Sequence, residues 1–336
     1  MNANDINTVR LLLNKRPKIS IIPHKNPDGD AMGSCLGLYL FLKEQGHDVT
    51  VVSPNDYPEN LKWLPASEKV MIFDLNASEV TQQIANSELI FTLDFNALSR
   101  ADGLTELLQH SKADFVMIDH HQQPENYAKV TFSQPDASST CSLVYEFIIA
   151  LGSREQLNTD IATCLYTGLM TDTGNFKFQT TKPDTFRIAA DLVELGAQNA
   201  KINTLIYDTN SFSRLQLLSV ALKNMVYLND IDVAYTYLTS NQLAEYQFQK
   251  GDTEGFVNYG LSIKDTKMAA FFIEEKEQGY VKISFRSKEN TDVNAFARAY
   301  FNGGGHINAA GGRFDGTITD AITHFLQVLP QFLKNQ

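Results

Sequence analysis

Phe115-Val116-Met117-Ile118-Asp119-His120-His121-Gln122 is a run of apolar residues that ends in an acid and two imidazoles. Such a run reads as a buried strand that delivers polar side chains to its C-terminal tip. The same arrangement occurs twice upstream. Lys18-Ile19-Ser20-Ile21-Ile22-Pro23 leads into His24-Lys25-Asn26-Pro27-Asp28-Gly29-Asp30, and Leu89-Ile90-Phe91-Thr92-Leu93 leads into Asp94. In open α/β sheets ligands bind outside the carboxyl ends of the strands, where the strand order reverses. Three strands that each carry a carboxylate or imidazole to that edge form the pattern of a metal site.

Outward from these strands the chain alternates. Helices are expected at 5–15, 31–45, 77–86 and 98–110, and strands at 18–23, 48–53, 69–73 and 89–94. This βαβα order predicts a mostly parallel sheet with helices on both faces. Ser138-Ser139-Thr140 opens a helix that runs to Gly152. A helix over 158–170 presents Thr171-Asp172-Thr173-Gly174 at its end, and another runs from Pro183 to Gly196. Residues 197–228 read as a helical linker. Beyond it the pattern changes to strands at 233–238, 260–263, 267–273 and 280–286, a helix at 293–301 and a last helix at 318–333. The expected architecture is an α/β catalytic domain (1–196) and a smaller α+β domain (229–336), joined by that linker.

The chain has 28 basic and 39 acidic residues and a formal charge of −11. That balance argues against long-range capture of long nucleic acid, which relies on basic surface. It leaves room for a small phosphorylated substrate, because bound divalent cations would neutralise clustered acid. Cys35, Cys141 and Cys164 lack paired CxxC spacing and read as buried thiols of a reducing compartment. The N-terminal sequence shows no signal pattern, and no apolar run reaches membrane-spanning length. The expectation is a cytoplasmic protein with no membrane partner; assembly into a homo-oligomer stays open.

His24, Asp28, Asp30, Asp94, His120 and Asp172 all lie where the strand and helix pattern places one crevice. All but Asp172 have a plain alternative. A lone His after a strand is usually a solvated loop residue, and Asp28-Gly29-Asp30 by itself is a turn. Asp94 alone would cap a helix, and His120-His121 would serve as a surface pair. Asp74, after Val70-Met71-Ile72-Phe73, has the same form without an imidazole and is left as a loop or cap residue. What outweighs the alternatives is recurrence at one edge. Mixed carboxylate and imidazole donors suit Mn²⁺, Mg²⁺ or a similar divalent ion, and the missing Cys cluster argues against structural zinc. So many carboxylates repel one another, which makes two ions the natural count. Two ions about 3.5–4 Å apart can clamp the attacking and leaving oxygens of a phosphoryl group.

In the second domain, Gly303-Gly304-Gly305-His306 precedes Asn308-Ala309-Ala310-Gly311-Gly312. Bare glycines let backbone approach a ligand, and successive N–H groups can cradle an anion. Such a stretch is more often a tight connection. It gains weight from Arg286, which closes the strand Val281–Phe285 and has the geometry to grip a phosphate with two donors. Arg298, Arg313 and Lys288 read as surface charge.

Together these motifs resemble the DHH phosphoesterase superfamily, named for the motif present here as Asp119-His120-His121. His24-Lys25-Asn26-Pro27-Asp28-Gly29-Asp30, Asp94 and Thr171-Asp172-Thr173-Gly174 match in order, and the GGGH stretch resembles the family's DHHA1 domain. Phe256-Val257-Asn258 and Ser284-Phe285-Arg286-Ser287 most resemble the bacterial nanoRNase/pAp phosphatase branch. The resemblance implies His24, Asp28 and Asp94 on one metal and Asp30, Asp94, His120 and Asp172 on the other, with Asp94 shared. The metal implied is usually Mn²⁺, with Mg²⁺ or Co²⁺ as substitutes. It further implies that Asp119 orients an imidazole, that His121 faces the scissile phosphate, and that Arg286 with Gly303, Gly304, Gly305 and His306 holds the rest of the substrate across an interdomain cleft. The implied substrates are very short RNAs, cut to 5′-mononucleotides, and pAp. Cyclic di-AMP or pApA remains the rival substrate class within the superfamily. Manganese pyrophosphatases lack the GGGH domain, and RecJ-like exonucleases are usually longer. A nucleotide-binding sensor without turnover is the reading from another class.

Overall fold

The structure, a computed structural model, describes residues 1–249 and 251–334. The chain divides into two compact units, Met1–Thr209 and Asn210–Gln336.

The first unit opens with helix α1 (Ala3–Asn14) and then builds a sheet from β1 (Ile19–Ile22), β2 (Val49–Ser53), β3 (Met71–Ile72), β4 (Leu89–Leu93), β5 (Asp114–Asp119) and β6 (Val130–Ser133). All its neighbouring strands are parallel, in the order β3-β2-β1-β4-β5-β6. The order reverses between β1 and β4, which opens a crevice at their carboxyl ends. Helices α2 (Gly29–Glu44), α3 (Ala77–Ala85), α4 (Thr105–Gln109), α5 (Thr140–Ala150), α6 (Thr159–Asp172), α7 (Pro183–Glu194) and α8 (Asn199–Tyr207) complete the unit.

Alternate residues of the central strands enter separate cores. Ile19, Ile21, Phe91, Leu93, Val116 and Ile118 join one cluster, with α1, α2, α5, α6 and α7. Ile22, Ile90 and Phe115 join the other, with α3 and α4. Burial on both faces is why these strands read as continuous apolar runs. A stripe of glycines sets the approach of α2 to α6. Gly29, Gly33 and Gly37 recur every fourth residue, and a Cβ at any of them would collide with Thr171, the Cys164 carbonyl or Leu165 of α6. Small residues at this spacing let the two helices close up, and the ends that meet carry Asp30 and Asp172.

The second unit comprises α9 (Phe212–Lys223), β7 (Val226–Leu228), β8 (Val233–Leu238), α10 (Ser240–Glu245), α11 (Phe256–Leu261), β9 (Met268–Glu275), β10 (Tyr280–Ser287), α12 (Val293–Tyr300), β11 (Gly304–His306), β12 (Ala309–Asp315) and α13 (Ile318–Lys334). Its sheet runs β11-β12-β10-β9-β8-β7 and is antiparallel except for the β8–β9 pair. Val281, Ile283 and Phe285 pack with α12 and α13 on one face. Phe271 and Ile273 pack with α9, α10 and α11 on the other.

Three sequence expectations are corrected. Residues 260–263 are not a strand: Phe256, Val257 and Gly260 form the buried side of helix α11. The parallel β8–β9 pair requires a crossover, and α11 lies within it. Gly260 lets that helix sit against Ala269 and Ala234. The helix expected over 98–110 is a 3₁₀ segment, Leu98–Leu104, that breaks at Asp102 before the short α4. The strand expected over 69–73 shrinks to the two residues of β3. Within 197–228, α8 contributes Ile202 and Ile206 to the first unit's core, while α9 contributes Leu217 and Ala221 to the second's.

Candidate metal centre

The crevice at the β1–β4 reversal is built from short loops, each held in place by its own hydrogen bonds. After β1, Asn26 takes a left-handed conformation (φ 53°). Its N–H donates to Asn55 Oδ1 at 2.7 Å, and Asn55 Nδ2 donates back to Asn26 Oδ1 at 3.0 Å. Asn55 lies just beyond β2, so the neighbouring strand's end holds the His24–Asp30 loop. Asp28 caps α2, accepting from the N–H groups of Asp30 and Ala31 at 3.0 and 3.1 Å. The capping and the ligand readings of Asp28 are therefore compatible.

Asp94, directly after β4, is also left-handed (φ 65°). That conformation is uncommon for a residue with a Cβ, though Asp adopts it more readily than most. Its two oxygens face opposite ways. Oδ2 lies 3.4 Å from His24 Nε2, and Oδ1 lies 3.4 Å from His120 Nε2. His24 Nε2 is 4.0 Å from Asp28. His120 Nε2 is 3.8 Å from Asp30 and 3.5 Å from Asp172. The donors thus fall into two groups, His24–Asp28 and Asp30–His120–Asp172, with Asp94 between them.

Each imidazole is anchored through Nδ1 and presents Nε2. His24 Nδ1 lies 2.7 Å from the Lys25 carbonyl, His120 Nδ1 lies 3.3 Å from the Ala137 carbonyl, and His121 Nδ1 lies 2.7 Å from Asp119 Oδ1. Anchoring of this kind fixes the tautomer of a metal-binding histidine. Asp119 is fully buried, and its Oδ2 has no hydrogen-bond partner among the described residues.

The crowded carboxylates and imidazoles shift one another's protonation. Burial, reinforced by Asp94 and Asp172, raises the Asp30 carboxyl well above the usual carboxylate range. Burial presses the His120 imidazole toward neutrality, yet Asp172, Asp94 and Asp30 outweigh it and raise His120 well above its ordinary value. Burial opposes ionisation of Asp94 too, but His120 and His24 hold it well below the usual range. At His121 burial prevails over Asp119, so that imidazole is lowered. The donor set fits divalent ions. Donors around one ion with bonds of about 2.1 Å stand roughly 3.0–3.4 Å apart; the separations here, 3.4–4.0 Å, begin at the top of that range and extend above it.

In the second unit, Arg286 pairs across the sheet with Ala309, which pairs in turn with His306. Directly paired residues share a face, so Arg286 and His306 flank the small Ala309 with backbones about 10 Å apart, two strand spacings. Ser284, Gly311 and Gly304 form the next row. The Gly303–His306 stretch, expected as a turn, is the edge of a hairpin. Asn294 is buried and accepts from Gly305 N–H at 2.9 Å and from Arg298 Nε at 3.1 Å. Sequence reasoning passed over Asn294, which lies 11 residues before Gly305, and Asn55 and Thr140, which reach Asn26 and Asp94 from 29 and 46 residues away. For Asn55 and Thr140 the available signal was position, since both lie at the strand-tip edge.

Residues 18–169 match the DHH family, N-terminal domain, and residues 230–335 match the DHHA1 domain. The chain belongs to the DHH family. DHH proteins are phosphoesterases, and this chain is an enzyme of that kind. It is 30% identical over 308 residues to the bifunctional oligoribonuclease and PAP phosphatase NrnA of Thermus thermophilus, covering 90% of this chain and 86% of that one. The NrnA of Bacillus subtilis is 28% identical over 292 residues, with 86% of each chain covered. Among solved structures, an exopolyphosphatase-related protein from Bacteroides fragilis superposes with a TM-score of 0.94 at 38% identity, covering 99% of this chain and 97% of that one. RecJ of Thermus thermophilus, crystallised with Mn²⁺, shares the fold at 14% identity and a TM-score of 0.56, with 99% of this chain and 54% of that chain covered. No helix among the described residues of this DHH protein is long and apolar enough to cross a membrane.

Proposed function

We propose that the chain is a two-metal phosphohydrolase, Mn²⁺-dependent by first choice, that cuts very short RNAs to 5′-mononucleotides and dephosphorylates pAp to AMP. The observation that carries this reading is Asp94, one carboxylate set between two His–Asp groups, in a chain that aligns along most of its length with NrnA proteins. His24, Asp28 and Asp94 would hold one ion, and Asp30, Asp94, His120 and Asp172 the other. When bound, such ions polarise the phosphoryl group and lower the pKa of attacking water.

The chain's own groups do the rest. Asp119 fixes the tautomer of His121, whose Nδ1 is committed and whose Nε2 carries the lone pair. Nε2 can accept the proton of the attacking water and return it to the departing oxygen as the phosphorus–oxygen ester bond breaks. Arg286, His306 and the Gly303–Gly305 backbone would hold the part of the substrate that does not react. A chain with a formal net charge of −11 offers added nucleotides little electrostatic gain, so activity should fall with length.

The test is turnover with Mn²⁺ on pAp, di- to pentanucleotides, a 24-mer, cyclic di-AMP, pyrophosphate and polyphosphate. The expected result is highest kcat/KM on pAp and on dimers to tetramers. Faster turnover of pyrophosphate or polyphosphate, or a 24-mer degraded as fast as a dimer, would overturn the substrate assignment.

A further inference from the structure

Helix α5 enters the crevice by its first residues, and Thr140 makes two contacts there. Its backbone N–H donates to Asp30 Oδ2 at 2.6 Å, and its hydroxyl donates to Asp94 Oδ1 at 2.9 Å. Cys141 N–H donates to the other oxygen of Asp30 at 2.8 Å. Thr140 is fully buried. The start of α5 therefore ties together a carboxylate from the first turn of α2 and one that directly follows β4.

The hydroxyl contact has a consequence the backbone contacts lack. Rotation of an Asp carboxylate about its last bond is broad, so nothing intrinsic to Asp94 decides how its oxygens divide between His24 and His120. Oδ1, the oxygen facing His120, is the one the Thr140 hydroxyl holds. A carboxylate only accepts, so the hydroxyl is the donor. A β-branched side chain has few χ1 choices, which gives that donor a fixed direction. We propose that Thr140 is the positioning residue that sets the Asp94 carboxylate across the two donor groups and so lets the crevice hold two divalent ions at once. This rests on the two-ion reading above, and the test keeps the two apart.

The substitution Thr140→Val keeps the shape and both backbone contacts but removes the donor; Thr140→Ser keeps the donor. Metal-stripped wild type and both variants are titrated with Mn²⁺ by calorimetry, their metal content is measured after dialysis, and melting is recorded without metal. Wild type should bind two ions. Thr140→Val should bind about ten- to a hundredfold more weakly, the usual cost of losing a group that orients a ligand, and should lose at least one ion on dialysis. Its metal-free melting should stay close to wild type, and Thr140→Ser should restore two-ion binding. Thr140→Ala carries the same expectation as Thr140→Val and replaces it should the valine variant not fold. Two ions bound with wild-type affinity in the variants lacking the hydroxyl would overturn the role of Thr140, as would a serine variant as defective as the valine. Wild type binding fewer than two ions would instead overturn the two-ion reading itself.

Discussion

The crevice of the first unit and the hairpin edge of the second are built in opposite ways. In the crevice, His24, Asp30, Asp94, His120 and His121 are all buried, and Asp28 is the most open carboxylate, its side chain 49% exposed. Each is fixed by further contacts to backbone carbonyls, helix N–H groups, the Thr140 hydroxyl or Asp119. At the hairpin edge, Arg286, Gly304 and His306 are half-buried around a floor of Ala309 and Gly311. Buried, mutually braced carboxylates are costly unless a cation joins them. A half-exposed arginine beside small residues suits a ligand that comes and goes. Substitutions in the first region should therefore cost metal or chemistry, and in the second, grip.

Asp94→Ala offers the strongest attempt to break that contrast. Removing the carboxylate between the two groups should lower kcat/KM at least a thousandfold, about 4 kcal/mol, and metal analysis should show most of the bound ion gone. Normal turnover would end the shared-ligand assignment. Next in size, His121→Ala should lower kcat about a hundredfold or somewhat more while metal content stays near wild type. Emptying of the site by this change would mean that His120 and His121 have each other's roles.

The hairpin edge should respond differently. Arg286→Ala should lower kcat/KM on pAp and dinucleotides roughly ten- to a hundredfold, the cost of a charge-assisted contact of about 1.5–3 kcal/mol, with metals retained. Silence on every short substrate would remove Arg286 from the binding face. Smallest of all, Asn294→Ala loses the acceptor for Gly305 N–H. A neutral hydrogen bond of about 1 kcal/mol implies roughly a fivefold rise in KM. A loss of metal in this variant would blur the division between the regions.

How much of this was legible depended on how local the cause was. β1, β4 and β5 are buried on both faces, so their apolar runs stand out, and the polar residues after them mark the crevice edge. Gly260-Leu261-Ser262-Ile263 is too short for helical periodicity to show, and the conformation of α11 follows from a crossover that depends on the β8–β9 pairing. In β12, Ala309-Ala310-Gly311-Gly312 has no side-chain alternation to reveal a strand. Thr140 looked like the start of a helix, and it is. Its hydroxyl reaches Asp94, 46 residues away in sequence, only once β4 and α5 have packed into one unit.

The most direct test of the central claim is anomalous diffraction from crystals of the wild-type protein grown with Mn²⁺. The account predicts two peaks in the first unit about 3.5–4 Å apart, one beside His24 and Asp28 and the other beside Asp30, His120 and Asp172, with Asp94 bound to both. A single peak, or two that do not share Asp94, would contradict it.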